Sequence, residues 1–157
     1  MKKKLFSIIS ILMLCTLNAH SQMATFQKQV IECLGVEGDG SQTLRVTGTG
    51  RNKSDAVEQA KKDAVYAVIF TGVRSGMNGC DSRPLINEQN ARDKYDEYFN
   101  IFFMDNGEYL KYVSMEDRKL RSNVKSKNKY FKNYRITVRV IRNELKARLK
   151  ADGVIKQ

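Results

Sequence analysis

The 157-residue chain contains one histidine, His20, and three cysteines, Cys15, Cys33 and Cys80, with no C-x-x-C pair. No cysteine has a ligand partner at metal spacing, so the usual zinc patterns are excluded. No apolar run reaches the roughly 20 residues that span a bilayer. Acids are scarce at the end: from Arg118 to Gln157 only Glu144 and Asp152 stand against 14 lysines and arginines.

What the N-terminus does have is a leader pattern. Lys2 to Lys4 precede an uncharged, mostly apolar run from Leu5 to Leu17, and then Ala19-His20-Ser21 supplies small residues before Gln22. This predicts a signal peptide over 1–21, cleaved near Ser21, and a periplasmic or secreted chain. Leu14 precedes Cys15, where a lipobox requires Gly, Ala or Ser, so no lipid anchor is expected. Cleavage removes His20 and leaves 136 residues, 22–157, which suit a single α+β domain. Cys33 and Cys80 remain in a compartment where disulfides survive, and either a bridge or two buried thiols fits them.

Charge is unevenly spread. The formal net charge is +11, and +8 once the three leader lysines are gone; 118–157 carries +12 and 22–117 carries −4. Such asymmetry speaks to partners rather than to fold. Lys125, Lys127, Lys129, Lys132, Arg135 and Arg139 form a candidate basic face for an acidic protein partner or an anionic envelope surface. The bland alternative is a solvated face whose arginines keep a sheet from unwanted pairing.

Periodicity gives the layout. Phe26 to Leu34 and Thr43 to Thr47 read as a hairpin around a glycine-rich turn. Asn52 or Ser54 caps a helix whose Ala56, Ala60, Ala64 and Ala67 form a close-packing stripe, with Lys61, Lys62 and Asp63 turned away from it. Gly72 to Pro84 reads as a loop. A second helix from Asn87 stacks Ala91, Tyr95, Tyr98, Phe99, Phe102 and Phe103 as a core stripe. Tyr109 to Met115 and Tyr134 to Ile141 read as strands, and Asn143 caps a short helix with Leu145 and Leu149 inward. The expected fold is α+β: an antiparallel sheet, two long helices packed mainly on one face, and a short C-terminal helix.

The stretch Thr47-Gly48-Thr49-Gly50-Arg51-Asn52-Lys53-Ser54 invites a phosphate-loop reading. G-x-x-x-x-G-K-[ST] needs glycine at 47 and 52, where threonine and asparagine stand. G-x-G-x-x-G fails at Lys53. The glycines therefore read as a strand end and tight turn feeding a capped helix, with no cofactor expected.

Val46-x-Gly48-x-Gly50, the helix "AVEQAKKDAVYAVI" and the later "YRITVRVIRNELKARLKADGVIK" together resemble the N-terminal domain of the flagellar T-ring protein and the small outer-membrane lipoproteins related to it. The resemblance implies an α+β envelope module that takes part in assemblies and has no known catalytic site. The order strand, helix, helix, strand, strand, helix also resembles the type I KH domain, with Gly76-Met77-Asn78-Gly79 as its G-x-x-G. That implies a nucleic-acid-binding alternative. A small envelope hydrolase is the third class: Asp96-Glu97 and Glu116-Asp117 pair acids, but neighbours in sequence do not face each other on a helix. Once the leader leaves, no histidine is at hand as a general base. The reading chosen is an exported, non-catalytic binding or assembly module with no catalytic, cofactor or metal residues assigned.

Overall fold

The computed structural model describes residues 31–76, 79–116, 123–124 and 130–156. The leader, positions 26–30 of the first expected strand, and Lys125, Lys127 and Lys129 lie outside these residues. Strand β1 (Glu32–Val36) pairs antiparallel with β2 (Gln42–Gly50), as the hairpin reading requires. Helix α1 (Lys53–Tyr66) follows and runs into a π-helical turn, Ala67–Thr71. Then come β3 (Ser75–Gly76), α2 (Ala91–Lys94), α3 (Asp96–Phe102), a 3-10 turn (Glu108–Tyr112), β4 (Val113–Met115), β5 (Asn123–Val124), β6 (Lys132–Val140) and α4 (Arg142–Ala151). The sheet order is β3-β1-β2-β6-β4, with β5 also paired to β6.

Strand β2 extends through both glycines, beyond the expected end at Thr47. A Cβ at Gly48 would stand 1.9 Å from the Ala56 carbonyl oxygen, and one at Gly50 would stand 2.4 Å from the Ala56 nitrogen. The two glycines and the buried Ala56, Ala60 and Ala64 thus bring helix and strand backbones together. Asn52 caps α1 by accepting the Asp55 N–H at 3.0 Å, satisfying one of the first-turn donors.

The structure corrects the expected fold in two respects. The sheet is mixed, because β3 runs parallel to β1. The Gly72–Pro84 loop conceals this pairing from any periodicity: it is two residues long and depends on Gly76, at φ +104, whose missing side chain lets Cys33 backbone atoms approach. Secondly, only α1 is long. The expected second helix starts at Ala91 rather than Asn87 and breaks at Tyr95, at φ −113 and ψ 38. Asn90 sits at φ 61, a conformation that asparagine tolerates and that stops a helix from extending backwards.

The aromatic stripe is core nonetheless. Phe99, Phe102 and Phe103 are buried, and their rings link Tyr66 and Phe70 of the α1 segment to Tyr109 and Tyr112, with centroids 4.7–6.3 Å apart. This second layer explains two further corrections. Tyr109 and Tyr112 both point inward, which three-residue spacing in a 3-10 turn allows and a strand forbids; only Val113–Met115 of the expected 109–115 strand forms. Lys62 and Asp63, expected to face away, are buried, because α1 is covered by the sheet on one side and the aromatic segment on another. At the C-terminus Leu145 and Leu149 are buried as expected, but Asn143 does not cap α4. Its side chain instead donates to the Asp39 carbonyl at 2.8 Å.

Cys33 and Cys80 form a disulfide, with Cα atoms 5.9 Å apart. It ties β1 to the loop leaving the α1 segment, and that loop is fixed further by Arg142, which donates to Asp81 at 2.9 Å and to the Arg83 carbonyl at 3.0 Å. Among the described residues, no helix is long and apolar enough to cross a membrane.

Candidate binding site

A cleft of about 1170 Å³ opens between the N-terminal half of α1 and the α3 end of the aromatic segment. Ser54, Asp55, Glu58, Gln59 and Lys62 form one wall; Arg92, Asn100, Met104 and Asp105 form the other. Gly50, Arg51 and Phe131 close its sheet end. Glu58, Gln59, Lys62 and Asp63 lie within two helical turns, so successive polar side chains project to the same side of α1.

Most of these polar atoms are already engaged. Lys62, with its side chain 9% exposed, donates to Asp105 at 2.6 Å and lies over the Tyr109 ring at 5.7 Å. This contact holds the Asp105 carboxyl below its ordinary range. Tyr109 donates its hydroxyl to Glu58, and burial together with that acceptor pushes the phenol above its usual range. Asp63 accepts from Gln59 Nε2 at 2.8 Å with one oxygen, while its other oxygen is buried and without a hydrogen-bond partner. Burial pushes Asp63 up to about 7. These groups hold α1 against the aromatic layer, and none is arranged as a nucleophile with a neighbouring base.

The predicted basic face divides. Arg135 and Arg139 share the outward face of β6, as strand alternation demands, whereas Lys132 has the opposite parity and points to the α1 side. Across β2 the outward register forms a checkerboard: Thr43 opposite Arg139, Arg45 opposite Thr137, Thr47 opposite Arg135, and Thr49 opposite Asn133. Arg139 is held between Glu37 at 3.7 Å and Glu116 at 3.4 Å, the latter an ionic contact without hydrogen-bond geometry. Arg45 pairs with Glu32 at 3.2 Å. Arg135 donates to Thr47 Oγ1 at 3.5 Å, and among the described residues no acid forms an ion pair with it. The rim acids thus neutralise two of the three outward arginines.

Lys132, opposite Gly50, instead lies at the cleft end of the sheet. Continuing that register sets Arg51 against Phe131, with Lys53 just beyond, and all three cations, Arg51, Lys53 and Lys132, are exposed. The sequence reading named Lys132 but missed Arg51, Lys53 and the cleft walls. The available signal was the i, i+4 spacing of Glu58 and Lys62, which marks a used helix side but not what covers it.

Gly76, of the G-x-x-G, lies in β3 against Cys33, so its backbone is occupied by the sheet edge. No protein family, no curated protein and no solved structure matches the chain.

Proposed function

We propose that this chain is an exported, non-catalytic binding or assembly module of the bacterial cell envelope, working through the cleft end of its central strand pair. The observation carrying this reading is that Arg51 lines one cleft with the half-exposed Phe131 and Met104, with the exposed Lys132 paired to Gly50 at its edge and the exposed Lys53 opening α1 two positions after Arg51. The leader pattern, the disulfide and the resemblance to envelope assembly domains support the same class of function. The partner class is an envelope protein or an anionic envelope surface.

The test uses the mature chain, 22–157, mixed with fractionated envelope and soluble periplasmic extract. The expected result is association with the envelope fraction that weakens as salt rises and is lost in Arg51→Glu with Lys132→Glu, while circular dichroism is unchanged. Equal recovery of wild type and variant from the envelope would overturn the reading.

A further inference from the structure

Six large apolar side chains are markedly exposed among the described residues: Val36, Ile101, Met104, Met115, Tyr130 and Phe131. Two of them meet at one place, and two more adjoin these along the chain. Met104 and Phe131 both line the mouth of the cleft. Ile101 stands one turn before Met104, whose N–H donates to the Ile101 carbonyl at 3.3 Å, and Tyr130 immediately precedes Phe131. Tyr130 is 80% exposed and Ile101 64%. Arg51 lines the same cleft, Lys132 is paired with Gly50 beside it, and Lys53 opens α1 two positions after Arg51.

We propose that the lip is a membrane-docking surface for anionic lipid head groups. Tyr130, Phe131, Ile101 and Met104 enter the interfacial layer, and Arg51, Lys53 and Lys132 meet the lipid phosphates. This inference rests on the binding-module reading above and specifies its partner.

The chemistry of the lip favours a bilayer over an acidic protein. The apolar side chains come from two separate segments and project from the rim rather than lining an enclosed pocket, so a rigid partner would have to match each one in shape; a fluid interface need not. Aromatic rings with one polar end settle at head-group depth, and cations beside an anionic surface each strengthen binding about fivefold. Neither contribution holds a protein firmly by itself, and the two together are the usual requirement. Of the acids nearby, Asp105 is paired with Lys62, while Glu58, which accepts from Tyr109, and Asp55 keep their charges, and the three rim cations outnumber these two. In sequence, Lys129 and Lys132 bracket Tyr130 and Phe131 with the same sign of charge.

The chain contains no tryptophan, so Phe131→Trp provides a single tryptophan, excited selectively over the tyrosines, at the lip. The mature variant is mixed with phosphatidylglycerol-containing vesicles and, separately, with pure phosphatidylcholine vesicles. Docking predicts a blue-shifted emission and quenching by brominated acyl chains with the anionic vesicles only. Tyr130→Ser with Phe131→Ser, and separately Arg51→Glu with Lys132→Glu, each lower vesicle sedimentation by about tenfold or more at unchanged thermal midpoint. An unshifted emission with anionic vesicles overturns the proposal, even if the protein sediments with them, because charge alone is then at work. If vesicles leave the emission unmoved while a lipid-free envelope-protein fraction shifts it, lipid docking fails and the binding-module reading stands. If neither shifts it and charge reversal leaves envelope association intact, both fail.

Discussion

The Cα of Gly48 faces the carbonyl oxygen of Ala56, and a methyl group added there would stand 1.9 Å from that oxygen and 2.6 Å from the Ala60 nitrogen. Both neighbours are backbone atoms of α1, which cannot rotate away as a side chain can. Gly48→Ala is therefore expected to push α1 off the sheet and destabilise the domain by about 3 kcal/mol or more, measured by urea denaturation. A loss below about 1 kcal/mol would show that the helix shifts at little cost.

Asp63 supplies a pH dependence whose sign follows from its burial. The unfolded chain releases this proton near the ordinary aspartate value of 3.8, whereas the folded chain holds it up to about 7. Between those values the folded state binds more protons, so the Asp63 contribution to stability is complete below about pH 4 and is lost as pH rises through about 7. Asp63→Asn retains an acceptor for Gln59 and cannot ionise. It is expected to flatten that part of the stability profile and to exceed wild type by on the order of 2–4 kcal/mol at about pH 8. Parallel wild-type and variant profiles would mean that the carboxylate finds solvation on ionising.

The Cys33–Cys80 bridge closes a loop of sequence separation 47. Constraint of the unfolded chain by such a loop contributes about 3 to 4 kcal/mol. Cys33→Ala with Cys80→Ala should lower the stability by that amount and expose the 72–84 segment to proteolysis first. Equal cleavage rates there in both proteins would assign the loop's order to Arg142 and its contacts instead.

Arg135 and Arg139, two similar residues on one strand face, should respond differently to charge reversal. Arg139→Glu places a third carboxylate beside Glu37 and Glu116 and is expected to cost about 1–3 kcal/mol of stability. Arg135→Glu meets Thr47 and should change stability by less than about 0.5 kcal/mol. Thermal melts of the two single variants distinguish them, and equal losses would mean that the Glu37 and Glu116 contacts contribute nothing.

Much of the inner layer was legible because each of its patterns has one period and one covering neighbour. The alternation of Ile136, Val138 and Val140, the alanine stripe of α1, and Leu145 with Leu149 all face the core as read. Asn52 and Ser54 were both candidate caps, and Asn52 is the one the structure uses. What escaped the reading depends on contacts between distant segments. Lys62 and Asp63 look solvent-facing on a helix wheel until the ring layer from Phe99 to Tyr112 covers them. The two-residue β3 has no period at all. The basic residues were visible as charge, but the acids that neutralise Arg139 come from Glu37 and Glu116, each far from it in sequence.

The two central strands have a bearing on when the protein can fold. Thr49 on β2 meets Asn133 on β6 across 84 positions of sequence, and β6 flanks β2 along its whole length. Before β6 is available, the strand pairing of β2 is limited to four residues of β1, beside its local packing on α1. Closing so long a loop before its contacts form makes sheet formation slow and confines it to the end of synthesis. The complete sheet accordingly forms only once β6 is available, later than in a domain of purely local contacts.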